Sequence, residues 1–303
     1  MLGLSRNERL AASLRDGEAA LAAAQLDRAH AAFAQAARLA SELDARQVQG
    51  CALLGAARAS LAQGDAERAA LLAGDAIVML ELAGAPSDDA LQLLGAASRE
   101  PASVTVARAL ELAQSACRAD DHATLTALGD TLLLRMLQGV SDDAVVQAGT
   151  ELCMCAIIAE RADLCARWMS AIKGALRSLA AAGLRPPLCR ATDLMAVAIE
   201  RADVEPLFDD DGPLEAADAW AFPLADLMVE VSNAALEPLR VARAHLVRAR
   251  VLLDGGRAAE ARTSARAAFG LARVLGLGDD DPLAAEAAAL VVASDERAPA
   301  ATA

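Results

Sequence analysis

The sequence predicts an all-α protein, on three observations. Hydrophobic residues make up 55% of the 303 residues, yet aromatics are only 2% and Tyr is absent, so alanine carries the apolar content. Alanine loses no side-chain entropy on entering a helix, and its small size lets helices approach closely. Apolar residues recur at helical spacing along almost the whole chain, and no convincing alternating strand is found. Finally, Gly, Pro and Asp punctuate the chain at the intervals expected of helix ends.

These breaks define the elements in order. They fall near Ala24-Gln25, Gly64-Asp65, Gly84 to Ser87, Glu100-Pro101, Ala119 to Asp121, Gly139 to Asp142, Gly183 to Pro187, Asp209 to Pro213, Gly255-Gly256 and Gly276 to Pro282. About a dozen helices or slightly more lie between them. Pro213 and Pro282 suit a first helical turn, where a missing N–H costs nothing. The acidic runs Asp88-Asp89, Asp120-Asp121, Asp142-Asp143, Asp209 to Asp211 and Asp279 to Asp281 sit between helical segments and read as caps. The segment 185–235 reads as irregular, and 294–303 as a disordered tail, leaving 1–293 as one domain.

Two distant stretches, "LAQGDAERA" at 61–69 and "LLDGGRAAEA" at 252–261, share a leucine, a Gly turn and an Ala five residues after a Gly. Small residues recur around both. In the first unit they are Gly17, Ala29 and Ala36 with the larger Phe33; in the second Ala57, Gly64, Ala69, Ala73 and Ala76; near the C-terminus Ala249, Gly256, Ala261, Ala265 and Ala268. This pattern resembles the tetratricopeptide repeat, in its degenerate bacterial form, over residues 8–84 and 238–276 and more loosely between. The resemblance implies a right-handed α-solenoid of about six antiparallel helical hairpins. The standard repeat is 34 residues; the turns at Ala24 and Gly64 are 40 apart, so helices or loops must be longer.

Composition restricts function. A net charge of −14 disfavours direct binding to nucleic acid or anionic membrane. Arg6, Glu8 and Arg9 precede any apolar core of useful length, and no apolar run is long enough to span a bilayer, so a cytoplasmic protein is expected. Cys153 and Cys155 in "CMC" lie about 200° apart on a helix, unsuited to one ion. The repeat register instead puts Cys153 and Cys165 at facing small sites. Without C-x-x-C spacing, a phosphate-binding loop or a nucleophile motif, no cofactor, metal or enzymatic activity is expected.

The charge is uneven along the chain. From Arg240 to Arg273 eight arginines stand against Asp254 and Glu260. Arg240, Arg243 and Arg250 fall within about 80° of one another on a helix. The repeat register places Arg243 and Arg250 on the concave face, where an acidic peptide or amphipathic helix could bind; the same arginines could instead pair with the acidic loops of the same chain, or with another copy. Where related domains clamp a terminal carboxylate with Lys and Asn, this chain has Leu14 and Glu18, then Leu54 and Arg58, so that clamp is missing. The leucines suit either an apolar groove or core between hairpins. The expected function is a non-catalytic adaptor binding a protein or peptide. The alternatives are a ligand- or peptide-sensing regulator and a self-assembling scaffold.

Overall fold

The computed structural model describes residues 5–201 and 214–297. Asp209 to Asp211, Pro213 and the tail residues 298–303 lie outside the described residues. The fold is all-helical, and no strand occurs among the described residues. In chain order the helices are α1 (Arg6–Ala22), α2 (Leu26–Glu42), α3 (Arg46–Ala62), α4 (Ala66–Leu82), α5 (Asp88–Ala97), α6 (Pro101–Arg118) and α7 (His122–Thr131). They continue with α8 (Asp142–Ile158), α9 (Ala162–Ala171), α10 (Lys173–Ala181), α11 (Arg185–Arg201), α12 (Leu214–Ala235), α13 (Pro238–Asp254), α14 (Ala258–Val274) and α15 (Pro282–Arg297). Residues Leu132–Met136 extend α7 as a π-helical segment. Contacts divide the chain into two compact units, Met1–Val140 and Ser141–Ala303.

The first four helices have one length, 17 residues each, separated by three-residue turns. The middle residue of each turn takes positive φ: Ala24 (56°), Asp44 (51°) and Gly64 (84°). This left-handed residue lets the next amide reach back to a helix carbonyl five residues earlier, the Schellman bond. Gln25 N donates to Ala20 O at 2.9 Å, Ala45 N to Ala40 O at 2.9 Å and Asp65 N to Ser60 O at 3.0 Å. The same bond closes α8 (Arg161 N to Ala156 O, 2.8 Å), α13 (Arg257 N to Leu252 O, 2.8 Å) and α14 (Leu277 N to Ala272 O, 3.0 Å). The 40-residue interval therefore comes from long helices, not long loops.

The acidic runs act largely as the sequence suggests. The Asp121 side chain accepts from Thr124 N at 3.0 Å, and Asp281 from Leu283 N at 2.9 Å. Asp142 and Asp143 occupy the first turn of α8 behind the Ser141 cap. Residues 294–297 form the last turn of α15.

Alternation of small and large side chains sets the packing. All ten alanines assigned to small sites are fully buried, at 0% exposure. In the first unit α1, α2, α3 and α4 pack each on the next, and α1, α3 and α5 also touch as alternate neighbours. Phe33 of α2 sits between α1 and α3, where two glycines make room for its ring. A Cβ at Gly17 would come within 2.9 Å of the ring and one at Gly55 within 2.6 Å. In the second unit α11, α13 and α15 are likewise alternate neighbours, with α12 and α14 packed between them in sequence. Cys153 of α8 meets Cys165 of α9, its Sγ lying 3.7 Å from the Cys165 carbonyl oxygen. Both are completely buried, as the register requires.

Because the Phe33 ring is held from both sides, it has nowhere to move. Gly55→Ala is expected to lower stability by about 1–3 kcal/mol in urea unfolding. Adding Phe33→Leu should restore part of that loss, since the smaller side chain vacates the space a Cβ needs. A Gly55→Ala variant as stable as the parent would contradict this packing.

Candidate partner-binding surface

The sequence singled out arginines on α13 and residues on the first helices. In the structure they fall into two kinds. Leu54 is buried, and half-buried Leu14 packs against clusters containing Leu10, Ala36, Phe33 and Ala56. These leucines are core between successive hairpins, the second of the two roles the sequence allowed. Glu18 is exposed on α1. Arg58 on α3 reaches across to α5, donating to Asp89 at 2.8 Å.

The α13 arginines make the same kind of reach. Arg240 bonds Asp193 of α11 and also Glu237 of its own N-terminus, at 2.7 Å to the latter. Arg243 donates to both carboxylate oxygens of Glu200 on α11, at 2.9 and 3.0 Å. On the other side, Arg250 pairs with Glu286 of α15. Alternate helices α11, α13 and α15 are thus joined by ionic rungs, with arginine always on α13. The α14 arginines follow suit: Arg262 lies 2.9 Å from Asp295 of α15, and Arg273 lies 2.7 Å from Asp279. The basic hairpin is balanced by acids of the same chain, drawn mostly from neighbouring helices rather than from loops.

Sequence reasoning allowed acidic partners within the chain but looked for them in the loops, because it counted charge within one hairpin. A signal was present: Arg243 and Glu200 are 43 residues apart, Arg240 and Asp193 47, and Arg250 and Glu286 36. These separations scatter around one 40-residue hairpin step.

Energetically the rungs are weak. Arg243 retains 47% of its side-chain exposure and Glu200 33%. Exposed pairs of this kind contribute about 0–1 kcal/mol each and are screened by salt. Their carboxylates are therefore exchangeable, and a guest carboxylate can compete for the same guanidinium forks.

Other chemistry is scarce among the described residues. No group of three or more His, Cys, Asp or Glu side chains could hold a metal ion there. Burial pushes the Cys153 thiol well up, which keeps it protonated and unreactive. No described helix is long and apolar enough to cross a membrane. No protein-family model matches the chain, and a search of the curated proteins found no relative.

Two histidines respond to pH. His30 Nε2 and His245 Nδ1 are buried without a hydrogen-bond partner. Both imidazoles are held below their ordinary value of 6.5, chiefly by desolvation, with repulsion from Arg68 added at His30 and from Arg248 at His245. The unfolded chain then takes up protons near pH 6.5 that the folded chain declines, so stability is full above that pH and falls as pH drops through it. The urea midpoint should decrease between about pH 7 and about pH 5. His245→Gln should flatten part of that slope, and an unchanged slope would contradict the role of this ring.

Proposed function

We propose that this chain is a non-catalytic adaptor, a right-handed solenoid of tetratricopeptide type that holds a partner peptide or helix on the face lined by α11, α13 and α15. The observation that carries this reading is the side-by-side arrangement of those alternate helices, with Arg243 and Arg250 on the middle one. Arrays of stacked hairpins offer long continuous surfaces suited to such guests.

The partner class follows from charge. Arg243 and Arg250 are seven residues apart on α13, two helical turns, or a rise of about 10.5 Å. A guest presenting carboxylates at that spacing exchanges the Glu200 and Glu286 contacts for its own. The guest is an acidic peptide or the acidic face of an amphipathic helix. With a net charge of −14 on the host, nucleic acid and anionic membrane are not partners in this reading. It places the protein in the cytoplasm and assigns it no cofactor.

The test is capture of partners from the native host's lysate, read by mass spectrometry, with three baits. Arg243→Glu/Arg250→Glu should lose a partner that the unaltered protein retains. Glu200→Gln/Glu286→Gln frees both guanidinium groups and should tighten that partner by about two- to fivefold for each pair exchanged. A partner held equally by all three baits would contradict the assignment of this face.

A further inference from the structure

The second unit contains a pocket that none of the rungs explains. It has a volume of about 410 Å³, within the range of roughly 300–1,000 Å³ typical of small-ligand sites. Four helices supply its wall: Ser170 near the end of α9, Lys173 at the start of α10, Phe222 and Pro223 on α12, and Arg257 at the entry to α14. Pro223 stands inside α12, where it contributes no N–H to the helix. Buried Leu224 and Leu227 add apolar surface beside it.

Its cations are unusual for this chain. Lys173 is the one lysine in a protein that otherwise uses arginine for every positive side chain. Its Nζ lies 3.0 Å from Glu230, but Arg177 also reaches that carboxylate, at 2.5 Å. Among the described residues, these two cations share one carboxylate. The Arg257 guanidinium lies over the Phe222 ring, 4.8 Å from its centroid, which holds it beside the pocket. Its fork is engaged with Glu260 at 2.8 and 2.7 Å, an exposed i,i+3 pair of the exchangeable kind. Among the described lining residues the one acid, Asp226, is taken up by Arg248 at 2.6 Å.

We propose that this pocket binds a small organic carboxylate, with its head group on Arg257 and Lys173 and its apolar body against Leu227 and the α12 wall. A planar guanidinium fork matches a carboxylate bidentately, and a point-charge ammonium completes the pair. The buried Leu224 and Leu227 favour an anion that carries an apolar body, which inorganic phosphate lacks. The site is separate from the α13 rungs, so its occupancy and partner capture can fail independently.

The probe is phenylacetate, with phenylacetamide as the neutral analogue and inorganic phosphate as the small dianion. Thermal unfolding of the full chain is read with each at millimolar concentration and matched ionic strength. Phenylacetate should raise Tm by about 2 °C, and phenylacetamide and phosphate should not. Lys173→Gln/Arg257→Gln should abolish the shift. Ser170→Trp, which fills the pocket from an exposed position while keeping both cations, should abolish it as well and guards against a folding defect in the first variant. No shift with phenylacetate, an equal shift in the variants, or a larger response to phosphate than to phenylacetate would overturn the proposal.

Discussion

The left-handed residue that closes most of the described helices is the constraint from which the rest of the structure follows. One residue at positive φ brings the chain back on itself within three residues and returns the next amide to the preceding helix. With no slack in the turn, successive helices must run antiparallel and in contact. Their contact surfaces must then be small, and alanine, glycine and buried cysteine fill them. The low aromatic content is a consequence: where Phe33 does enter, two glycines on flanking helices yield the space.

Short turns also decide where charge can go. Alternate helices lie side by side on one face, so a long arginine side chain reaches its neighbour before it reaches a loop. The rungs joining α13 to α11 and α15 arise in this way. They hold the guanidinium groups in extended, carboxylate-ready positions at little energetic cost to release. In the adaptor reading proposed here, a surface already satisfied by weak internal acids discriminates against casual anions and yields to a guest offering two carboxylates in register. The pocket beside Pro223 is lined from α9, α10, α12 and the entry to α14, and its chemistry is correspondingly distinct.

Much of this organisation was legible in the sequence. The small sites were readable because alanine and glycine recur at fixed offsets from a turn, and the ten alanines and Gly17 are all buried. The turn at Asp44 was not, because aspartate rather than glycine takes the left-handed conformation there. Leu236, also at positive φ (56°), concealed the α12–α13 turn in the same way. The arginine partners were hidden for another reason: they come from the neighbouring hairpin and show only as charge complementarity about 40 residues away. The pocket left two local marks, a solitary lysine and a proline within a helical pattern, whose proximity depends on how α9, α10 and α12 pack.

Gly64 offers the most direct test of the central claim, that each turn acts locally to build a stack of hairpins. Its φ is +84°, and a Cβ placed there meets nothing within 4 Å, so any cost of substitution comes from backbone conformation alone. The measurement is amide hydrogen exchange on the full chain, comparing Gly64→Val with the unaltered protein. The account predicts faster exchange concentrated in α3 and α4, fading through α2 and α5, with the second unit unchanged. Uniform acceleration across both units, or no change in α3 and α4, would contradict it.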